Sequence, residues 1–285
     1  MAYDPRAMTT PPILSPLQAL VLAVVQGITE FLPISSSGHL ILVPYFLKWP
    51  DQGLTFDIAT HVGTLLAILV YFRRDVRDLI VGFFTGQPRS ADGDFPPRRF
   101  VWMIALATIP AGIAGLLIKD WIETQARSPL LIAGTTIVYG LLLGLADRVG
   151  RHERPLGEIG WREALMIGCA QALALVPGTS RSGATMTAAL LLGFTRPAAA
   201  RFSFLMTIPV YILVASKQAL DLMEARVTAA ELMPMLIGLV ASALVGYAVI
   251  AWLLTWVRSR SLTVFVVYRL ILGAVILATF FLRGS

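Results

Sequence analysis

The chain has 285 residues, 56% of them hydrophobic and 14% charged, against about 25% charged in an ordinary soluble domain, which excludes the pair of soluble domains that its length alone would suggest. The net charge of +6 does not point to nucleic acid, because the Arg and Lys cluster in short loops between apolar segments, where they orient a chain in a membrane. The single cysteine, Cys169, excludes an internal disulfide and any Cys-based metal cluster, and its apolar surroundings predict a buried small hydrophobe.

In chain order, the amino-terminal MAYDPRAM lacks the basic run of a secretory signal, so the first apolar segment is expected to stay in the mature chain. Residues 17–47 then form an apolar stretch longer than one crossing needs, broken at its middle by Pro, Gly and a run of Ser. The spacing predicts spanning helices at roughly 54–72, 100–118 and 129–146, with the first two joined by a loop from Arg73 to Arg99. A second broken stretch covers 163–194, and further spans follow at 202–217, 232–257 and 262–282. The charge-free windows Phe100–Ile118, Pro129–Ala146 and Leu232–Val257 match the length of about 17–25 apolar residues that crosses a bilayer. Each broken stretch is read as a re-entrant hairpin, whose irregular backbone is tolerated at that depth only when buried in protein or lining a wet cavity.

Loop charge sets the expected orientation. With 73–99, 147–162, 195–201 and 258–261 on the cytoplasmic side, these loops carry fourteen arginines. Arg6, Lys48, Lys119, Arg127, Lys217, Arg226 and Arg283 then lie outside, and both termini are outside. Arg181 and Arg269 remain within membrane segments.

The two broken stretches match at a constant offset of 145 residues: Gln26 with Gln171, Ser35 with Ser180, Ser37 with Ser182 and Gly38 with Gly183. A hairpin followed by three spans, repeated, places the second half upside down relative to the first. The expectation is an all-α integral membrane protein, a single domain over 1–285. Its six transmembrane helices and two re-entrant helical hairpins form an inverted-topology repeat with halves of about 17–146 and 162–282. Inverted repeats bring broken helices together near the midplane, and two capped helix starts facing one pocket would cradle a phosphate or diphosphate.

Residues 26–40, QGITEFLPISSSGHL, place Gln26 and Glu30 on one helix face. An ionisable Glu30 in a membrane segment is a functional candidate by default, with a structural ion pair as the alternative. His39 follows three hydroxyls and is weighed as an acid–base group against simple packing. In LVPGTSRSGAT, Arg181 lies mid-segment, and its planar fork suits phosphate oxygens. Ser180, Ser182 and Thr185 can add neutral donors, although Ser and Gly also let membrane helices approach closely. Asp57 and His61, four apart in the first span, are read as lining the pocket, binding a cation, or hydrogen-bonding neighbouring helices. Arg269 could pair with an acid or hold a lipid headgroup.

QGITEFLPISSSGH and PGTSRSGAT resemble the two motifs of the bacitracin-resistance-type undecaprenyl-diphosphate phosphatases. The resemblance extends through FDIATHVGTLLAILVYFRR, RFSFLMTIPV and Tyr268-Arg269, most of the chain. It implies an enzyme of the bacterial plasma membrane that hydrolyses a polyprenyl diphosphate to the monophosphate, recycles the lipid carrier for cell-wall glycans, and opens its pocket to the outer face. It also implies a divalent cation, Mg²⁺ or Ca²⁺, with membrane lipids as partners, and it leaves a homodimer open. Carried over, the catalytic set is Glu30, Ser36, His39 and Arg181, and the substrate-binding set is Gln26, Ser35, Ser37, Ser180, Ser182 and Thr185. Many members have Glu where this chain has Gln26, so Glu30 would hold the cation with phosphate oxygens, helped by Asp57. The nucleophile is either Ser36 or a water, with His39 as base. The competing expectation is a transporter of an anion or lipid phosphate, since broken-helix repeats are common there.

Overall fold

The computed structural model describes residues 14–86, 96–118, 121, 128–224 and 228–282, with side chains of 218–224 set aside. These residues form eleven α-helices and one short 3₁₀ turn, Leu156–Glu158. The helices are α1 Pro16–Phe31, α2 Ser36–Leu47, α3 Gly53–Tyr71, α4 Arg73–Thr85, α5 Pro97–Leu117, α6 Pro129–Val149, α7 Trp161–Leu173, α8 Arg181–Leu191, α9 Arg196–Glu224, α10 Ala229–Trp256 and α11 Thr263–Leu282. An isolated bridge pairs Arg154 with Phe194.

Six helices are long and apolar enough to cross a membrane: α3, α5, α6, α9 through Lys217, α10 and α11. They coincide with the six expected spans, but several begin earlier. Helix α5 takes in Arg98 and Arg99, and α9 starts at Arg196. Charged residues lengthen a helix beyond its apolar core because their long stems reach back to the polar interface. Arg6, Lys119, Arg127, Arg226 and Arg283 of the expected outside segments lie outside the described residues, as does Arg89.

Two expectations need correction. The segment expected as a loop from Arg73 contains helix α4, because Val76, Leu79, Ile80 and Phe83 recur at helical spacing among the charges. Gly86 ends it at φ +74°, and Arg98 donates to the terminal carbonyls of Phe83 (2.7 Å) and Phe84 (3.0 Å). Cys169 is exposed rather than buried. It shares the outward face of α7 with Leu165, Met166 and Leu173, where an apolar side chain meets lipid.

Packing is reciprocal. Helix α1 rests on α10, and its counterpart 145 residues later, α7, rests on α5. Helix α3 also runs along α10, α6 along α11, and α8 sits against α6, α7 and α9. The α3–α10 contact is backbone-close: a Cβ on Gly63 would meet Ser242 Oγ at 2.1 Å. Ser242 Oγ donates to the Thr60 carbonyl at 3.0 Å across the same seam, the small-residue packing of membrane helices. Between α1, α3 and α9, Phe204 meets the edges of Phe31 at 5.5 Å and Phe72 at 6.4 Å. Three span ends are tied at buried Asp147 of α6, whose carboxylate accepts from Arg196 Nε at 2.5 Å and from the Leu262 N–H at 2.9 Å.

Candidate active site

The two helix breaks share one local geometry. Helix α1 stops at Phe31 and α2 restarts at Ser36; α7 stops at Leu173 and α8 restarts at Arg181. The capping residues, Ser35 and Ser180, both have positive φ, +77° and +71°. Ser35 Oγ accepts from Gly38 N at 3.4 Å, and Ser180 Oγ from Gly183 N at 3.2 Å. Each cap hydroxyl also lies 3.3 Å from that of the serine two residues on, Ser37 or Ser182. The sequence match at offset 145 therefore extends to backbone conformation and hydrogen bonding.

The breaks differ in what they present. The first half supplies Glu30, six residues before Ser36, and Ser36 Oγ donates to Glu30 Oε2 at 2.8 Å. Gln26 Nε2, one helical turn earlier, donates to the same oxygen at 2.9 Å. The second half supplies Arg181, at the position matching Ser36, and its Nη2 forms an ion pair with Glu30 Oε1. Glu30, Gln26, Ser36 and Arg181 thus meet in a largely buried cluster drawn from both breaks.

Tyr211 of α9 completes this cluster. Its ring lies 4.3 Å under the Arg181 guanidinium, and its hydroxyl accepts from Arg181 Nη2 at 3.0 Å. The ring edge of His61 touches Tyr211 with centroids 5.8 Å apart, while His61 Nδ1 bonds the Asp57 carbonyl at 2.7 Å. Sequence reasoning missed Tyr211. Its signal was a polar-tipped aromatic in a span, two residues after Pro209.

Two buried atoms in the cluster have no hydrogen-bond partner: Arg181 Nη1 and Gln26 Oε1. One is a cationic donor and the other a hard oxygen acceptor, and leaving either unpaired in a dry interior is costly. They suit a ligand that carries anionic oxygens and a cation. For Mg²⁺ or Ca²⁺, the fitting oxygens are the Glu30 carboxylate and Gln26 Oε1. Among the described residues no three His, Cys, Asp or Glu gather around one point. Asp57 accepts from Gln52 at 3.0 Å.

The remaining candidates are engaged elsewhere. His39 directs its ring nitrogens to the Ser35 carbonyl and the Tyr268 hydroxyl, both at 2.6 Å. The carbonyl can only accept, so Nδ1 carries a proton, and in the neutral ring Nε2 accepts from Tyr268 O–H. Its described hydrogen bonds are thus not to Ser36. Ser182 Oγ reaches across to the Leu32 carbonyl at 2.9 Å, clasping the second helix start to the first break. Thr185 is buried against Ser203 at 2.7 Å, tying α8 to α9. Ser37 is exposed.

Arg269 corrects the expectation of an acid partner or a lipid headgroup. It is 0% exposed and sits behind both breaks, donating to five main-chain carbonyls. Beside the first break, an apolar cleft of about 360 Å³ runs between α1 and α11, lined by Val25, Ile28, Thr29, His39, Phe265 and Tyr268 among others.

Residues 19–275 match the family described as bacitracin resistance protein BacA. The undecaprenyl-diphosphatase of Magnetococcus marinus is 52% identical over 92% of this chain and 97% of its own length. Undecaprenyl-diphosphatase 2 of Stutzerimonas stutzeri is 52% identical over 93% and 98%. The undecaprenyl-diphosphatase of Moorella thermoacetica is 48% identical over 94% and 98%.

Proposed function

Because the chain belongs to the bacitracin resistance protein BacA family, we propose that it hydrolyses undecaprenyl diphosphate to undecaprenyl monophosphate and phosphate, the reaction its relatives are named for. The protein is a multi-pass membrane hydrolase, and its product re-enters the lipid-carrier cycle of cell-wall synthesis. The observation that carries the assignment of the site is the buried Glu30 carboxylate, bonded by Ser36 from its own half and by Arg181 from the other.

The reaction is phosphoryl transfer, which demands positioning and charge stabilisation above all. Arg181 offers its unpartnered Nη1 to the terminal phosphate, and the first-turn N–H groups of α2 and α8 add two helix-start dipoles. When phosphate oxygens take over Arg181, Glu30 is released to receive the Ser36 proton. Ser36 Oγ then bonds to the terminal phosphorus while the bridging O–P bond breaks, and lipid monophosphate leaves with that electron pair. Water then attacks the phosphorus, the Ser36 Oγ–P bond breaks with its electron pair on Oγ, Glu30 returns the proton to that oxygen, and phosphate leaves with the oxygen and protons of the water. Tyr211 keeps the Arg181 plane fixed throughout, a preorganisation that costs nothing at the moment of reaction. A divalent cation held by Gln26 Oε1, with Glu30 reserved for the proton, would supply neutralisation of the diphosphate charge. His39 acts from the other side of α2, holding the Ser35 turn and facing the cleft that takes the first prenyl units.

The halves are read as inverted repeats, each with a re-entrant hairpin. Support comes from the equal geometry of Ser35 and Ser180 and the reciprocal seating of α1 on α10 and α7 on α5. The arginine-rich loops favour a cytoplasmic side opposite both termini, with the site open to the outer face. The test is phosphate release from undecaprenyl diphosphate by purified protein in detergent with Mg²⁺ or Ca²⁺. Steady release supports the hydrolase. Its absence, with the lipid instead moved between leaflets of a vesicle, would make the protein a transporter.

A further inference from the structure

We infer that Arg269 is a positioning residue that locks the two helix breaks to each other and so sets Glu30 and Ser36 opposite Arg181. A guanidinium has five N–H bonds, and here all five are used. Nε donates to the Thr136 carbonyl at 3.0 Å. Nη1 donates to Pro33 at 3.1 Å and to Thr179 at 3.0 Å. Nη2 donates to Gly178 at 2.9 Å and to Thr135 at 3.4 Å. Pro33 belongs to the first break, Gly178 and Thr179 to the second, and Thr135 and Thr136 to α6 between them. Three pieces of chain that share no strand or disulfide thus converge on one side chain.

The chemistry explains why a charge is kept there. Helices α1 and α7 stop at Phe31 and Leu173, and the carbonyls of Pro33, Gly178 and Thr179 lie in the irregular segments that follow, where no regular helix orders them. A buried cation without a carboxylate is tolerated only when fully hydrogen-bonded, and Arg269 meets that condition with carbonyls alone. Held through these carbonyls, the two breaks set the starts of α2 and α8, with Ser36 and Arg181 in first position, on either side of Glu30. Two glycines pack closely against the Arg269 side chain. A Cβ on Gly183 would meet its Nη1 at 3.1 Å, and one on Gly140 would meet its Cβ at 3.1 Å. Ser182, reaching the Leu32 carbonyl, is a second and weaker clasp between the same breaks.

Only the kinetic arm of the test rests on the hydrolase reading. Lysine at this position keeps the charge but has three donors for five carbonyls, and methionine keeps the stem with none. Arg269→Met should lower kcat roughly 100-fold, as expected for reacting groups displaced by about 1 Å, with Arg269→Lys intermediate. In a Cys169→Ser background, nitroxides at exposed Leu47 and Leu191, the ends of α2 and α8, report the spacing of the hairpins by double electron–electron resonance. One narrow distance distribution is expected in the parent, and a displaced or broadened one in Arg269→Met. Should that variant not fold, Gly140→Ala presses on Arg269 Cβ and should lower kcat with KM little changed. An unchanged distance distribution in folded Arg269→Met, or an unchanged kcat in Gly140→Ala, would overturn the inference. A parent protein without activity would count against the hydrolase reading while leaving the distance measurement decisive for Arg269.

Discussion

Ser35 and Ser180, 145 positions apart, hold the same left-handed backbone conformation and cap the same third residue onward, Gly38 and Gly183. Two helices therefore begin identically, one carrying Ser36 and the other Arg181 in its first position. The same local geometry, with a different side chain at the matching place, presents a hydroxyl at one helix start and a guanidinium at the other.

Removing a cap should weaken its helix start. Ser180→Ala is expected to cost about 1 kcal/mol of stability, the usual value of an N-cap hydroxyl. Thermal unfolding in detergent should register a lower midpoint, while Ser180→Gly, which accepts positive φ without strain, should lose less.

Gly178 tolerates no side chain. Its φ is +89°, and a Cβ would lie 2.1 Å from Thr135 Oγ1 and 2.6 Å from the Ile132 carbonyl. Gly178→Ala should therefore destabilise by more than the ~1–3 kcal/mol of backbone strain alone. Comparison of unfolding midpoints with Gly134→Ala, where a Cβ meets open space, isolates the effect.

Arg181→Ala should lower kcat by about 100- to 1,000-fold, the scale of a lost transition-state donor. Arg181→Lys should recover only part, because a point charge cannot span Glu30, Tyr211 and a phosphate oxygen together. The same rates measured for Tyr211→Phe should fall modestly, since the ring remains under the guanidinium.

Asp147→Asn should destabilise the ends of α6, α9 and α11 together. The expected loss is below the ~3–5 kcal/mol of a fully buried pair, because the Arg196 side chain is 27% exposed and partly solvated. Unfolding midpoints should fall while KM of the folded fraction stays the same.

Much of this was readable from sequence. Charge-free windows located three of the spans, and the Pro and Ser clusters located both breaks. Glu30 and Arg181 stood out because ionisable groups in apolar segments are expensive. What escaped depends on contacts distant in sequence. No local pattern says that Tyr211 lies under Arg181, or that Arg269 meets carbonyls rather than an acid. His39 follows Ser36 by three residues, yet its ring turns toward Tyr268, 229 positions away. Helix α4 was legible in principle, since Val76, Leu79, Ile80 and Phe83 keep helical spacing, but its arginines and aspartates masked it as a loop.

The most direct test is phosphate release from undecaprenyl diphosphate by native protein and by Ser36→Ala, purified in parallel with Mg²⁺ or Ca²⁺. A residue that bonds the phosphorus should account for at least about a 1,000-fold rate difference. Steady release by the native protein and near-complete loss in the variant are expected of a serine nucleophile. Native-like release by Ser36→Ala would contradict it.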